Sequence, residues 1–150
     1  MEADSASGGG REPASSLLFV NGTLMRGLPL NGNLTGATFV ARLRTAPHYR
    51  LHTVGDVHPG MYRVAEGGVA IEGELYDVPG RVWKKVRSGE PPHLYRGSVE
   101  LEDGRWVDGI LYPKGLAQSH PDISSHGGWR AYREAALREP GAPLTRDGGR

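Results

Sequence analysis

The sequence predicts an α+β domain: a small mixed or antiparallel sheet curled into a β-barrel, with helices packed at its ends. Three observations predict it. Short apolar or alternating runs of strand length recur between residues 16 and 112. The chain's 23 glycines and 11 prolines fall partly near the termini and partly at intervals between those runs, as turns do. Helical periodicity is confined to residues 79–88 and 127–137, so helices do not alternate with strands and a doubly wound parallel sheet is not expected.

The elements follow in order. Ser16-Leu17-Leu18-Phe19-Val20 is a continuous apolar run of the length of a buried strand. Asn21-Gly22-Thr23-Leu24-Met25-Arg26-Gly27 breaks it into a loop, and residues 28–35 read as loop or one short helical turn. Residues 38–45 alternate apolar with polar in their second half, and Tyr49-Arg50-Leu51-His52-Thr53-Val54 alternates likewise, as half-buried strands do. A turn over 56–60 leads to a short strand near 61–64. Residues 69–78 are the clearest strand, with Val69, Ile71, Gly73, Leu75 and Asp77 on one face and Ala70, Glu72, Glu74, Tyr76 and Val78 on the other. Pro79 cannot continue a ladder but suits a helix start, and Val82, Trp83 and Val86 sit at helical spacing up to Gly89. Residues 94–101 and 105–112 flank Glu102-Asp103-Gly104, a hairpin signal. Ser124 or Ser125 can cap the last helix, which points Trp129, Tyr132 and Ala136 inward.

At 150 residues the chain fits one domain able to bury a core unaided. Residues 1–15 and 139–150 are too poor in apolar groups to offset ordering entropy and are expected to be disordered tails around a folded domain of 16–138. Lys and Arg number 18 against 17 Asp and Glu, so no charge excess points to nucleic acid or a membrane surface. There is no cysteine, which excludes disulfides, thiolate zinc sites and a thiol nucleophile. No apolar run approaches the ~20 residues of a membrane span, and the N-terminal residues lack the apolar core of a signal peptide. A cytoplasmic protein binding a small molecule is the expectation.

Two places could carry chemistry. In the loop after the first strand, glycine lets backbone approach a ligand, and successive N–H groups can hold an anion or developing oxyanion; such a turn is also a common structural device. The second is Glu90, between Gly89 and Pro91-Pro92. An acid there is usually solvated, yet the prolines stiffen the backbone at a helix-to-strand corner, a good mounting for general acid–base work. Tyr95, five residues on, could reach the same side. The six histidines show no convincing metal spacing, so neither a metal nor another cofactor is expected. No serine sits in a nucleophile elbow, and Glu72 and Glu74 read as two solvated acids.

The motifs also carry a resemblance. Leu18-Phe19-Val20-Asn21-Gly22-Thr23-Leu24-Met25 resembles the opening motif of γ-glutamylcyclotransferase-like proteins, typically F-V-Y-G-T-L, and Gly73-Glu74-Leu75-Tyr76-Asp77-Val78 resembles their central strand. Glu90 stands where that family carries its catalytic glutamate. Gly27-Leu28-Pro29-Leu30-Asn31, Thr45-Ala46-Pro47-His48-Tyr49-Arg50-Leu51, residues 97–104, and Asp122-Ile123-Ser124 with Gly127-Gly128-Trp129-Arg130-Ala131-Tyr132 are similar to the C-terminal domain of allophanate hydrolase, a relative in fold.

The resemblance implies a γ-glutamylcyclotransferase-like barrel with a pocket between the glycine loop and Glu90. In those enzymes the α-amine of a γ-glutamyl group attacks its own side-chain carbonyl, releasing 5-oxoproline and an amine without a metal. Glu90 would move the protons, and Asn21, Gly22, Thr23, Leu24 and Tyr95 would contact substrate. The alternatives are a non-catalytic accessory domain acting with a separate amidase, and a binding module; a homodimer is also expected as a possible assembly. The chain departs from both patterns. The usual tyrosine of the first motif is Asn21, and the histidine of the allophanate hydrolase loop is replaced by Leu24, which cannot carry protons and disfavours that domain's own decarboxylating chemistry.

Overall fold

The computed structural model describes residues 16–138, so both expected tails lie outside the described residues. The chain runs β1 (Ser16–Val20), a 3-10 turn (Asn31–Leu34), β2 (Thr38–Arg44), β3 (Tyr49–Val54), β4 (His58–Arg63), β5 (Glu72–Val78), α1 (Gly80–Ser88), β6 (Tyr95–Glu100), β7 (Trp106–Leu111), α2 (Lys114–Ala117), a second 3-10 turn (Ser124–His126) and α3 (Trp129–Arg138). The α+β class is as expected. Strands β2-β5-β1-β7-β6 form one sheet, while β3 and β4 pair as a separate hairpin. All pairings are antiparallel except β1 with β7, which run parallel through Leu18–Asp108 and Phe19–Gly109.

The expected closed barrel is not found. The edge strands β2 and β6 meet only where they end, at the bridge between Thr45 and Leu101, with the Ala46 N–H on the Glu100 carbonyl at 2.9 Å. Pro47 follows with no N–H to extend the seam, and the chain turns away into β3. The sheet therefore stays open along most of that edge.

Burial explains the strand order. β1 and β5 are central, and the apolar run of β1 leaves Leu18, Phe19 and Val20 without solvent contact. Gly73 of β5 faces Phe19 so closely that a Cβ would lie 2.4 Å from its Cζ and 2.5 Å from the Val20 carbonyl oxygen. Helix α1 lays Val82 and Val86 into the same core, which also takes Tyr49, Leu51, Ile71, Leu101 and Trp129. The turn before β4 is shorter than the sequence suggests, so His58 and Pro59 belong to the strand. Ser124 does not cap α3; its Oγ instead accepts the Leu51 N–H at 2.8 Å, pinning the second 3-10 turn to β3. Glu74 corrects the expectation of two solvated acids: it is only 2% exposed, whereas Glu72 is half-buried against Arg42. No helix among the described residues is long and apolar enough to cross a membrane.

Candidate active site

The loop that leaves β1 is built to present donors. Its carbonyls are engaged from within: Gly22 accepts the Met25 N–H at 3.0 Å, Thr23 accepts the Leu30 N–H at 2.9 Å, and Leu24 accepts the Asn31 side-chain amide at 2.8 Å. The N–H groups of Gly22, Thr23 and Leu24 have no acceptor among the described residues. Three successive free N–H groups beside a cleft form a ready anion or oxyanion site. The loop is anchored at its far end, where the Arg26 N–H donates to Glu74 Oε1 at 2.9 Å. Gly22 is required by proximity, because a Cβ there would lie 2.6 Å from Pro59 Cδ.

A cleft lies against this loop, with about 390 Å³ of atom-free space in and in front of it, open solvent included. Asn21, Gly22, Thr23 and Leu24 line one side; Glu90 and Pro91, on the segment after α1, line it too. Leu30, Val86, Leu94 and Ile110 give it apolar walls. Glu90 is held by the end of the helix, its N–H reaching the Arg87 carbonyl at 3.4 Å. Its Oε2 is buried without a hydrogen-bond partner among the described residues. Burial pushes the carboxyl above its ordinary value of 4.5, and the positive charge of Arg87 opposes that rise in part. A desolvated carboxyl that holds its proton more tightly is suited to passing one to and from a ligand.

The site residues expected from sequence are placed as follows. Glu90, Asn21, Gly22, Thr23 and Leu24 come together in the cleft. The Asn21 side-chain amide is engaged by the Met61 sulfur at 3.0 Å, so it holds the loop onto β4. Tyr95 does not line the cleft. It is 46% exposed and borders a shallower hollow outside it, shared with Arg87, Glu90, Leu94 and Arg96. His58 was missed by sequence reasoning. It is 6% exposed, lines the cleft beside Pro59, and sits at a strand start that local composition reads as turn. No group of three or more metal-capable side chains occurs among the described residues.

The mixed α+β fold of this domain is shared with γ-glutamylcyclotransferase-like proteins. The solved structure of a mouse AIG2-like protein shares the fold with a TM-score of 0.57 at 23% identity, over 73% of this chain and 86% of that one. The chain belongs to the allophanate hydrolase C-terminal domain family, whose model matches residues 16–134. A uropathogenic E. coli-specific protein of known structure is 42% identical with a TM-score of 0.77, covering 80% of this chain and 96% of that one. Kluyveromyces lactis allophanate hydrolase is 35% identical with a TM-score of 0.73, over 80% of this chain and 21% of its own. The urea amidolyase of Saccharomyces cerevisiae is 36% identical over 133 residues, which are 82% of this chain and 7% of that protein. The chain thus spans less than a tenth of the curated relatives it matches.

Proposed function

We propose that the cleft performs intramolecular acyl transfer on a small γ-glutamyl amine or amide, releasing 5-oxoproline, with Glu90 as its general acid–base. The observation that carries this reading is the buried, unpartnered Oε2 of Glu90 in one cleft with three free N–H groups. A buried polar atom without a protein partner is uncommon in a native chain and fits a group whose partner is a ligand. The N–H groups of Gly22, Thr23 and Leu24 would hold the substrate carboxylate or the oxyanion of the tetrahedral intermediate. Glu90 takes a proton from the attacking α-ammonium and returns one to the departing nitrogen. Since nucleophile and carbonyl belong to one molecule, the cleft's main task is to hold the folded-back conformer, for which the apolar walls of Val86, Leu94 and Ile110 supply shape. Tyr95, at the outer hollow, would meet only the leaving portion of such a substrate.

The test is release of 5-oxoproline from a panel of γ-glutamyl amines and amides. Glu90→Gln is expected to lower kcat by about 10²–10⁴. A second reading has its own observation: the urea amidolyases matched by the chain are many times longer. On that reading the domain assists a separate amidase and turns nothing over itself. Co-purification with an amidase, together with no product from the whole panel, would select it.

A further inference from the structure

We propose that His58 is the second proton carrier of this cleft, accepting a proton from substrate nitrogen through Nε2. The proposal rests on the cyclotransfer reading and adds a residue to it. The His58 Nδ1 lies 2.9 Å from the Pro59 carbonyl oxygen. That oxygen can only accept, so Nδ1 carries the hydrogen, and a neutral ring then has its lone pair on Nε2. Nε2 has no partner among the described residues. The ring is fixed on its other side by Tyr112, packed edge-on with centroids 5.9 Å apart. Pro59, next in sequence, abuts Gly22 and so ties the imidazole to the donor loop. Of the titratable groups, Glu90 lines the same cleft, Tyr112 packs on the ring, and His93 packs on that tyrosine in turn.

Proton balance gives the second carrier its task. The α-ammonium of a γ-glutamyl substrate holds three protons, and the lactam nitrogen of 5-oxoproline keeps one. The departing nitrogen leaves with two more than it had as an amide. Two protons therefore move from one nitrogen to the other while one C–N bond forms and another breaks, and a single carboxylate holds only one at a time. Glu90 takes the first and delivers it to the leaving nitrogen. His58 Nε2 takes the second from the α-nitrogen of the tetrahedral intermediate and releases it to the departing amine. No oxidant, reductant or co-reactant is needed.

The experiment follows 5-oxoproline release from γ-glutamyl-alanine by the full chain, as wild type and as His58→Asn, from about pH 5 to 9. Asparagine keeps a side-chain N–H where Nδ1 meets the Pro59 carbonyl but has nothing at the Nε2 position. The variant is expected to unfold close to the wild-type temperature and to lose about 100-fold in kcat, with the KM for γ-glutamyl-alanine little changed. A folded variant with wild-type kcat overturns the proposal while leaving the cyclotransfer reading standing. Wild-type protein that releases no 5-oxoproline from any γ-glutamyl probe overturns both. Should the variant fail to fold, ¹⁵N-histidine NMR of the wild type at about pH 8 decides the matter: unprotonated Nε2 is expected, and the opposite tautomer overturns the assignment.

Discussion

Glu74 is buried, Glu90 is half-buried with one carboxylate oxygen withdrawn from water, and the protein treats the two acids in opposite ways. Around Glu74 every lone pair that matters is answered. Oε1 accepts the Arg26 N–H at 2.9 Å and the Tyr76 hydroxyl at 3.1 Å, while Oε2 faces Arg130 at 3.2 Å and the Arg26 guanidinium at 3.8 Å. Glu90 has a buried oxygen with no answer at all, and a carboxyl raised by burial. The same chemical group is thus a tie in one region and an open valence in the other. Glu74 joins the donor loop, β5 and α3, so it positions one wall of the cleft that Glu90 closes. The contrast teaches that partner count, more than burial, separates a structural acid from a reactive one.

The largest expected effect comes from breaking the satisfied member. Glu74→Ala leaves Arg130, the Tyr76 hydroxyl and the Arg26 N–H without their acceptor, and removal of one partner from a buried ion pair costs about 3–5 kcal/mol. Arg26 and Arg130 retain partial solvent access, which places the expected loss near the lower end, about 3 kcal/mol. Urea unfolding measures it. A loss below about 1 kcal/mol would dissolve the distinction between the two acids. Gly22→Ala is the next step down. Its Cβ would enter the space of Pro59, at a cost of about 1–3 kcal/mol, and would push His58 and the donor loop apart. The unfolding midpoint gives the energy, and 5-oxoproline release should fall more than the modest stability change explains.

Much of this contrast was legible in the sequence on one side only. Glu90 stood out because its helix, its stop at Gly89 and the two prolines are all local signals, and the structure places the residue where those signals put it, directly after α1. The continuous run of β1 and the Asp103-Gly104 turn between β6 and β7 were local in the same way. Glu74 was misread because alternation along β5 tells which residues share a face, not whether another element covers it. Its partners Arg26 and Arg130 are 48 and 56 residues away, a juxtaposition that only the fold creates. His58 escaped for the same reason. Asp56 to Gly60 is turn-like in composition, and only pairing of His58 with Val54 makes the histidine a strand residue that lines the cleft. The barrel failed to close because Pro47 ends a seam that strand counting alone would continue.

The smallest effect is also the sharpest test of the open valence, because its sign depends on pH. Folding raises the Glu90 carboxyl above its ordinary value, so between the unfolded and folded values the native state binds more protons than the unfolded chain. Stability then falls as pH rises through that window, and the full penalty is present above it. Below the ordinary carboxyl value both states are protonated and the penalty vanishes. Gln at position 90 does not ionise, so Glu90→Gln is expected to raise the unfolding temperature near pH 7 and to leave it unchanged near pH 3. Thermal unfolding at the two pH values reads the difference directly. The same variant that slows turnover would then be the more stable protein at neutral pH, the behaviour of a group kept for chemistry at the expense of the fold. Destabilisation by Glu90→Gln at neutral pH would mean that the carboxylate makes favourable contacts in the native state, and Glu90 would join Glu74 as a structural acid.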